Sequence, residues 1–154
     1  MKFTRAPGFT VLEILLVIVI VGMLGTAAMY ALNTTRAGSR DAKRASDVAL
    51  IQAALTKYWL QKATYPLMEK TSLGKPGANA DILTTEGFRP RDQVAGDLIL
   101  DQIPVGPSSN EYYLYHASAQ GYSLKFTTEK QTAYGAAGTF FVHSTGVDKN
   151  DVEK

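Results

Sequence analysis

From Phe9 to Leu32 the chain runs for 24 residues with a single charge, Glu13. At 1.5 Å per residue a helix of that length covers roughly 36 Å, enough to cross the hydrocarbon core of a bilayer. The pattern therefore predicts a transmembrane half-helix over 9–32. Residues 1–8 form a short polar leader with Lys2 and Arg5, and its Pro7-Gly8 pair stops the helix from extending backwards. Beyond Asn33 the pattern turns amphipathic: Ala37, Ala45, Val48, Ile51, Leu55, Tyr58 and Trp59 recur near a 3.6-residue period. The same helix is expected to continue over 33–62. From Phe9 to about Lys62 it would reach roughly 80 Å, more than a bilayer needs, so the apolar stripe of its second half must pack on something else. A sheet is the simplest partner.

Ala63-Thr64-Tyr65-Pro66 should end the helix, because the residue before a proline is pushed towards extended conformations. In the region 63–111, Pro76, Pro90, Pro104, Pro107 and several glycines predict mostly loop, with short extended or helical pieces. Three later runs, Tyr112–Ala117, Tyr122–Thr128 and Thr139–His143, read as strands, the first two around a turn at Gln120-Gly121. In the second, Tyr122, Leu124 and Phe126 alternate with Ser123, Lys125 and Thr127, so one face can lie on the helix. The expected class is α+β: a long N-terminal helix packed on a small antiparallel sheet, 112–143, within a globular head, 63–154.

The chain's 154 residues leave room for one domain and an anchor, since a single core usually needs about 100 to 150 residues. Residues 33–62 carry six Lys or Arg against two Asp or Glu, whereas 63–154 carry eight against eleven. The head is thus mildly acidic, which disfavours nucleic acid as its partner. The absence of cysteine excludes a disulfide framework and a thiolate metal site. The apolar run is too long for an ordinary secretory signal, although small residues stand at Ala27 and Ala28. Counting Lys2 and Arg5 against Arg36, Arg40, Lys43 and Arg44, the positive-inside rule alone favours an outward amino terminus.

Glu13 costs on the order of 3 kcal/mol at a bilayer centre, less near the interface, so something should compensate it. Either it lies shallow, at the favourable end of the helix dipole, or it meets a cation from another subunit. The stretch Gly8-Phe9-Thr10-Val11-Leu12-Glu13 followed by an apolar run resembles the processing and assembly motif of type IV pilins and type II secretion pseudopilins. That resemblance implies cleavage between Gly8 and Phe9 by a prepilin peptidase in the cytoplasm, and methylation of the new Phe9 amine. It also implies an amino terminus on the cytoplasmic side, against the positive-inside count. Glu13 would neutralise the amino terminus of a neighbouring subunit. Because Phe9 and Glu13 are four residues apart, pairing within one chain uses the same groups.

Gly22 and Gly25, with Thr26, Ala27 and Ala28, form a small-residue patch that lets helices approach closely or loosens the helix locally. Many pilins carry a proline farther along this segment; none occurs here between Pro7 and Pro66. The resemblance extends through the Arg40–Arg44 run and the Tyr65-Pro66 turn. Asp41, Lys43, Arg44 and Asp47 read as a solvated face, alternatively as filament contacts or lipid-headgroup contacts.

No residue set points to catalysis. His116 and His143 read as ordinary strand residues, and Ser108, Ser109 and Glu111 lie near His116 only in sequence. Gly74-Lys75-Pro76-Gly77 lacks the spacing of a phosphate loop. Asp148, Asn150 and Asp151 are weak calcium candidates, kept because the resembled major pseudopilins can bind calcium in a late loop; a solvated, frayed tail is the plainer expectation. The expected function is a structural subunit of a type IV pilus-like filament, with a type II secretion pseudopilin as the alternative and a membrane-anchored monomeric binding module behind both. Expected partners are copies of the chain, a prepilin peptidase, an assembly machinery, and membrane lipid before assembly. The expected location is the cytoplasmic membrane, then an extracellular or periplasmic filament.

Overall fold

The computed structural model describes residues 8–154, so Lys2, Arg5 and Pro7 of the leader lie outside the described residues. The chain divides into two compact units, one up to Arg36 and one from Ala37 onward. Helix α1 covers Val11–Lys62. Thr10 opens it: its carbonyl accepts the Ile14 N–H at 3.2 Å and its hydroxyl accepts the Glu13 N–H at 3.2 Å, a side-chain N-cap. At the other end Ala63 takes φ 55° while its N–H reaches the Trp59 carbonyl at 2.7 Å, a left-handed cap made without glycine.

In the first unit the apolar side chains of α1 lie on the surface, and its most apolar 18-residue window has a mean hydropathy of 2.6. By length and composition this helix can cross a membrane.

The second unit holds eight strands: β1 Met68–Leu73, β2 Ile82–Thr84, β3 Gly87–Arg89, β4 Leu98–Leu100, β5 Tyr113–Ser118, β6 Gly121–Thr128, β7 Gly138–His143 and β8 Gly146–Asp148. Five form an antiparallel sheet in the order β1-β5-β6-β7-β8, and β3-β2-β4 form a smaller antiparallel one. One face of the main sheet presents Tyr113, Tyr115, Tyr122, Leu124, Phe126, Phe140 and Val142, which pack with Val48, Ile51, Leu55 and Tyr58 of α1. Alternation turns Leu114, His116, Ser123, Lys125, Phe141 and His143 to the opposite, outer face. The architecture is α+β, a long helix on antiparallel sheet.

The short extended pieces expected within 63–111 are β1 to β4, and β1 takes an edge of the main sheet, so that sheet begins well before residue 112 and β8 carries it past 143. Trp59 departs from the expected stripe and is 45% exposed. Adjacent helical residues point about 100° apart, so Tyr58 and Trp59 cannot both enter the sheet, and Ala54 fills the buried position one turn back.

Candidate assembly segment and the ion network of the head

Gly8 and Phe9 precede the Thr10 cap and are exposed, Phe9 by 77%. Glu13 stands three residues after the cap, the spacing of a capping box, where a carboxylate also favours the positive end of the helix dipole. Its side chain lies on the surface, and among the described residues no cation pairs with it. A side chain added at Gly22 or Gly25 would meet nothing within 4 Å, so neither glycine is required by packing inside this chain. Nearby, the Thr26 hydroxyl donates to the Met23 carbonyl at 2.9 Å, which satisfies its polarity within the helix.

Arg44, expected on a solvated face, is instead 4% exposed at its side chain, with Asp41 and Asp47 also buried. The correction has a geometric cause. Arg44 is one turn before Val48, so it follows the apolar stripe to the edge of the sheet and meets carboxylates supplied by the head. Its Nε and Nη2 donate to Glu111 Oε1 and Oε2 at 2.5 and 3.0 Å, a bidentate pair. Its Nη1 reaches Asp41 Oδ1 at 2.7 Å and Glu129 Oε1 at 2.8 Å. Arg40 also pairs with Glu129. Asp41 accepts the backbone N–H groups of Glu129 and Lys130 at 2.8–3.1 Å, so it caps the turn after β6. Lys43 Nζ donates to Asp47 Oδ2 at 2.6 Å and to the Val105 carbonyl at 2.9 Å, and the Tyr113 hydroxyl donates to Asp47 Oδ2 at 2.9 Å.

The electrostatics agree with this geometry. The Arg40 hydrogen bonds, opposed by burial and helped by Arg44, hold Glu129 down at about 2. The Arg44 hydrogen bonds, again opposed by burial, lower Glu111. Two turns of helix, 40–47, are thereby stitched to the 105–111 loop, to β5 and to the turn at 129–130. Spacing on the helix alone could not identify this network, because Glu111 and Glu129 lie 67 and 85 positions beyond Arg44. Thr10, in contrast, was recognisable from Thr-x-x-Glu at a helix start.

The last residues are docked and not frayed. Asp151 Oδ1 accepts from His116 Nε2 at 2.7 Å and Ser123 Oγ at 3.0 Å, while Oδ2 accepts from Lys70 Nζ at 2.6 Å. Glu153 Oε1 lies 2.7 Å from His116 Nδ1. Asp148 Oδ1 accepts the Asn150 N–H at 2.7 Å and faces His143 Nε2 at 3.2 Å, while Oδ2 accepts from Lys154 Nζ at 2.7 Å. Of the calcium candidates Asp148, Asn150 and Asp151, each carboxylate oxygen here already holds donors of this chain, and the two aspartates face different partners. Among the described residues no group of three or more His, Asp or Glu is arranged to hold a metal.

The chain is 26% identical over 138 residues to the type II secretion system core protein G of Vibrio cholerae, covering 90% of each. It is 30% identical over 120 residues to the protein of that name in Pectobacterium carotovorum, covering 76% of this chain and 71% of the relative. With that of Aeromonas hydrophila the identity is 30% over 117 residues, covering 74% and 76%. No family model and no solved structure matches the chain.

Proposed function

Because the chain belongs to the family of type II secretion system core protein G, we propose that it is a repeating pseudopilin of that machinery, a structural subunit and not an enzyme. The observation that carries this reading is similarity to secretion proteins along most of both chains; it favours a secretion filament over the surface pilus that the motif alone suggested. In this account the peptidase cuts between Gly8 and Phe9, the apolar half of α1 waits in the cytoplasmic membrane, and the head lies in the periplasm.

Assembly then transfers each apolar half-helix from lipid into a bundle of its copies. Lipid tails are as apolar as the bundle, so cohesion comes from close packing and from polar pairing, not from escape from water. Gly22 and Gly25, with no internal contact to satisfy, offer the close approach. Glu13 is costly in lipid and is relieved by the amine of a neighbouring Phe9, an ion pair that gains strength in low dielectric. The pair forms only at one axial offset and so sets register. The role of the Arg44 network is to make the head follow residues 40–47 of the helix.

The test is a strain lacking this chain, scored for secreted proteins in the medium and for sheared surface filaments. Loss of secretion with surface filaments intact, restored by the wild-type chain but not by Glu13→Ala, is the expected result. Normal secretion with surface filaments lost would assign the chain to a pilus.

A further inference from the structure

We infer that residues 149–154 form a strap locked onto the outer face of the main sheet by cations of this chain, so that the segment docks without bound metal. His116 and Ser123 are register partners on β5 and β6, and both point away from the face that packs on α1. They are nevertheless buried, as is His143 at 1% exposure. Their partners show what covers them: Asp151 on His116 and Ser123, Glu153 on His116, and the Asn150 carbonyl on His143.

Both aspartates meet a lysine ammonium, Asp148 that of Lys154 and Asp151 that of Lys70, and Glu153 meets His116. Asp151 is held at about 2 by its hydrogen bonds from Lys70, His116 and Ser123 despite the opposing effect of burial, and Glu153 is lowered first by its bond to His116. Both are therefore ionised at neutral pH and can only accept. His116 stands between them, each of its ring nitrogens 2.7 Å from a carboxylate oxygen. His143 is held from both sides as well: its Nδ1 faces the Tyr122 carbonyl at 3.0 Å and its Nε2 the Asn150 carbonyl at 3.0 Å. Calcium needs about six to eight oxygen ligands, but here the oxygens are occupied and a dication would sit beside the ammonium groups of Lys70 and Lys154. The strap finishes on Gly121, where an added Cβ would come within 2.3 Å of the Lys154 carbonyl carbon.

Hydrogen exchange read by mass spectrometry on the full chain in detergent, over peptides covering 144–154, tests the lock. The Ser144 and Asn150 amides report it, since they bond to the Lys154 carbonyl and the Asp148 carboxylate. Exchange should agree within about twofold between chelator and about 1 mM calcium. A slowing of about tenfold or more by calcium would overturn the inference. Lys70→Met combined with His116→Gln should speed exchange about tenfold or more with or without calcium, towards the rate of Gly121→Val, which expels the strap sterically. Lys154→Met, at a partly exposed site, repeats the test without altering a buried ring. Wild-type exchange in these variants, with β6 and β7 still protected, would show that the cations are not what holds the strap.

Discussion

Replacing Arg44 by methionine keeps most of the side-chain volume and removes one charge from the centre of the head's ion network. Three carboxylates lose a hydrogen-bonded cation at once: Asp41, which keeps the Glu129 and Lys130 amides, Glu111, which keeps the Ser108 amide at 3.2 Å, and Glu129, which keeps Arg40. Deleting one member of a buried, hydrogen-bonded pair leaves the other uncompensated and costs about 3–5 kcal/mol. For a unit the size of Ala37–Lys154, 1 kcal/mol is worth about 4 °C, so Tm should fall by roughly 12–20 °C. Near-UV circular dichroism, dominated by packed aromatic rings such as the buried tyrosines Tyr113, Tyr115 and Tyr122, follows the head on the full chain in detergent, since Tyr30, the one tyrosine of the apolar half-helix, is exposed. Lys43→Met is the internal control: Lys43 is about half exposed, and its loss should cost less than about 1 kcal/mol. An Arg44→Met protein within about 1 kcal/mol of wild type would refute the buried-network reasoning.

Three further outcomes follow from the same structure. Ala63→Gly removes the strain of a left-handed alanine at the end of α1 and should stabilise the head by about 0.5–1 kcal/mol, raising its Tm by a few degrees. Glu129 and Glu111 bind protons less readily folded than unfolded, so their contribution is fully present above the ordinary carboxylate value of 4.5 and is lost as pH falls through the folded values, about 2 for Glu129. Acid titration of stability should therefore steepen below pH 4.5, and Glu129→Gln should flatten it, by a screened amount because that side chain is 36% exposed. Glu13→Gln should leave head melting unchanged while abolishing filament assembly, since Glu13 pairs with no cation among the described residues and, in the proposed assembly, meets its partner on another copy; sedimentation of membrane extracts separates the two effects.

The long helix, its two halves and the three principal strands were legible because each rests on a local period: the apolar run over 9–32, the stripe through Val48, Ile51 and Leu55, and the alternation in β6. The edge strand β1 was less legible, because Met68–Leu73 carries two charges and a register shift, and becomes strand only by pairing with β5. Asp41, Arg44 and Asp47 looked solvated for a similar reason. Charge predicts exposure unless a partner is supplied, and the partners Glu111, Glu129 and Tyr113 arrive only when the chain folds back. The docked segment 149–154 was hidden in the same way, since its partners come from β1, β5, β6 and β7. Gly8, Phe9 and Glu13 were visible as a motif, but the motif does not distinguish a pilus from a secretion filament. The relatives, which are secretion proteins, are what favours the second reading.

The most direct measurement is the intact mass and amino-terminal sequence of the chain recovered from the inner membrane of cells with the secretion machinery intact. A chain that begins at Phe9 and carries one methyl group on its amine is the result this account predicts. A chain that retains Met1 to Gly8, or one cleaved after Ala27 or Ala28, would contradict it, because no amine would then stand at Phe9 for Glu13 of the next subunit.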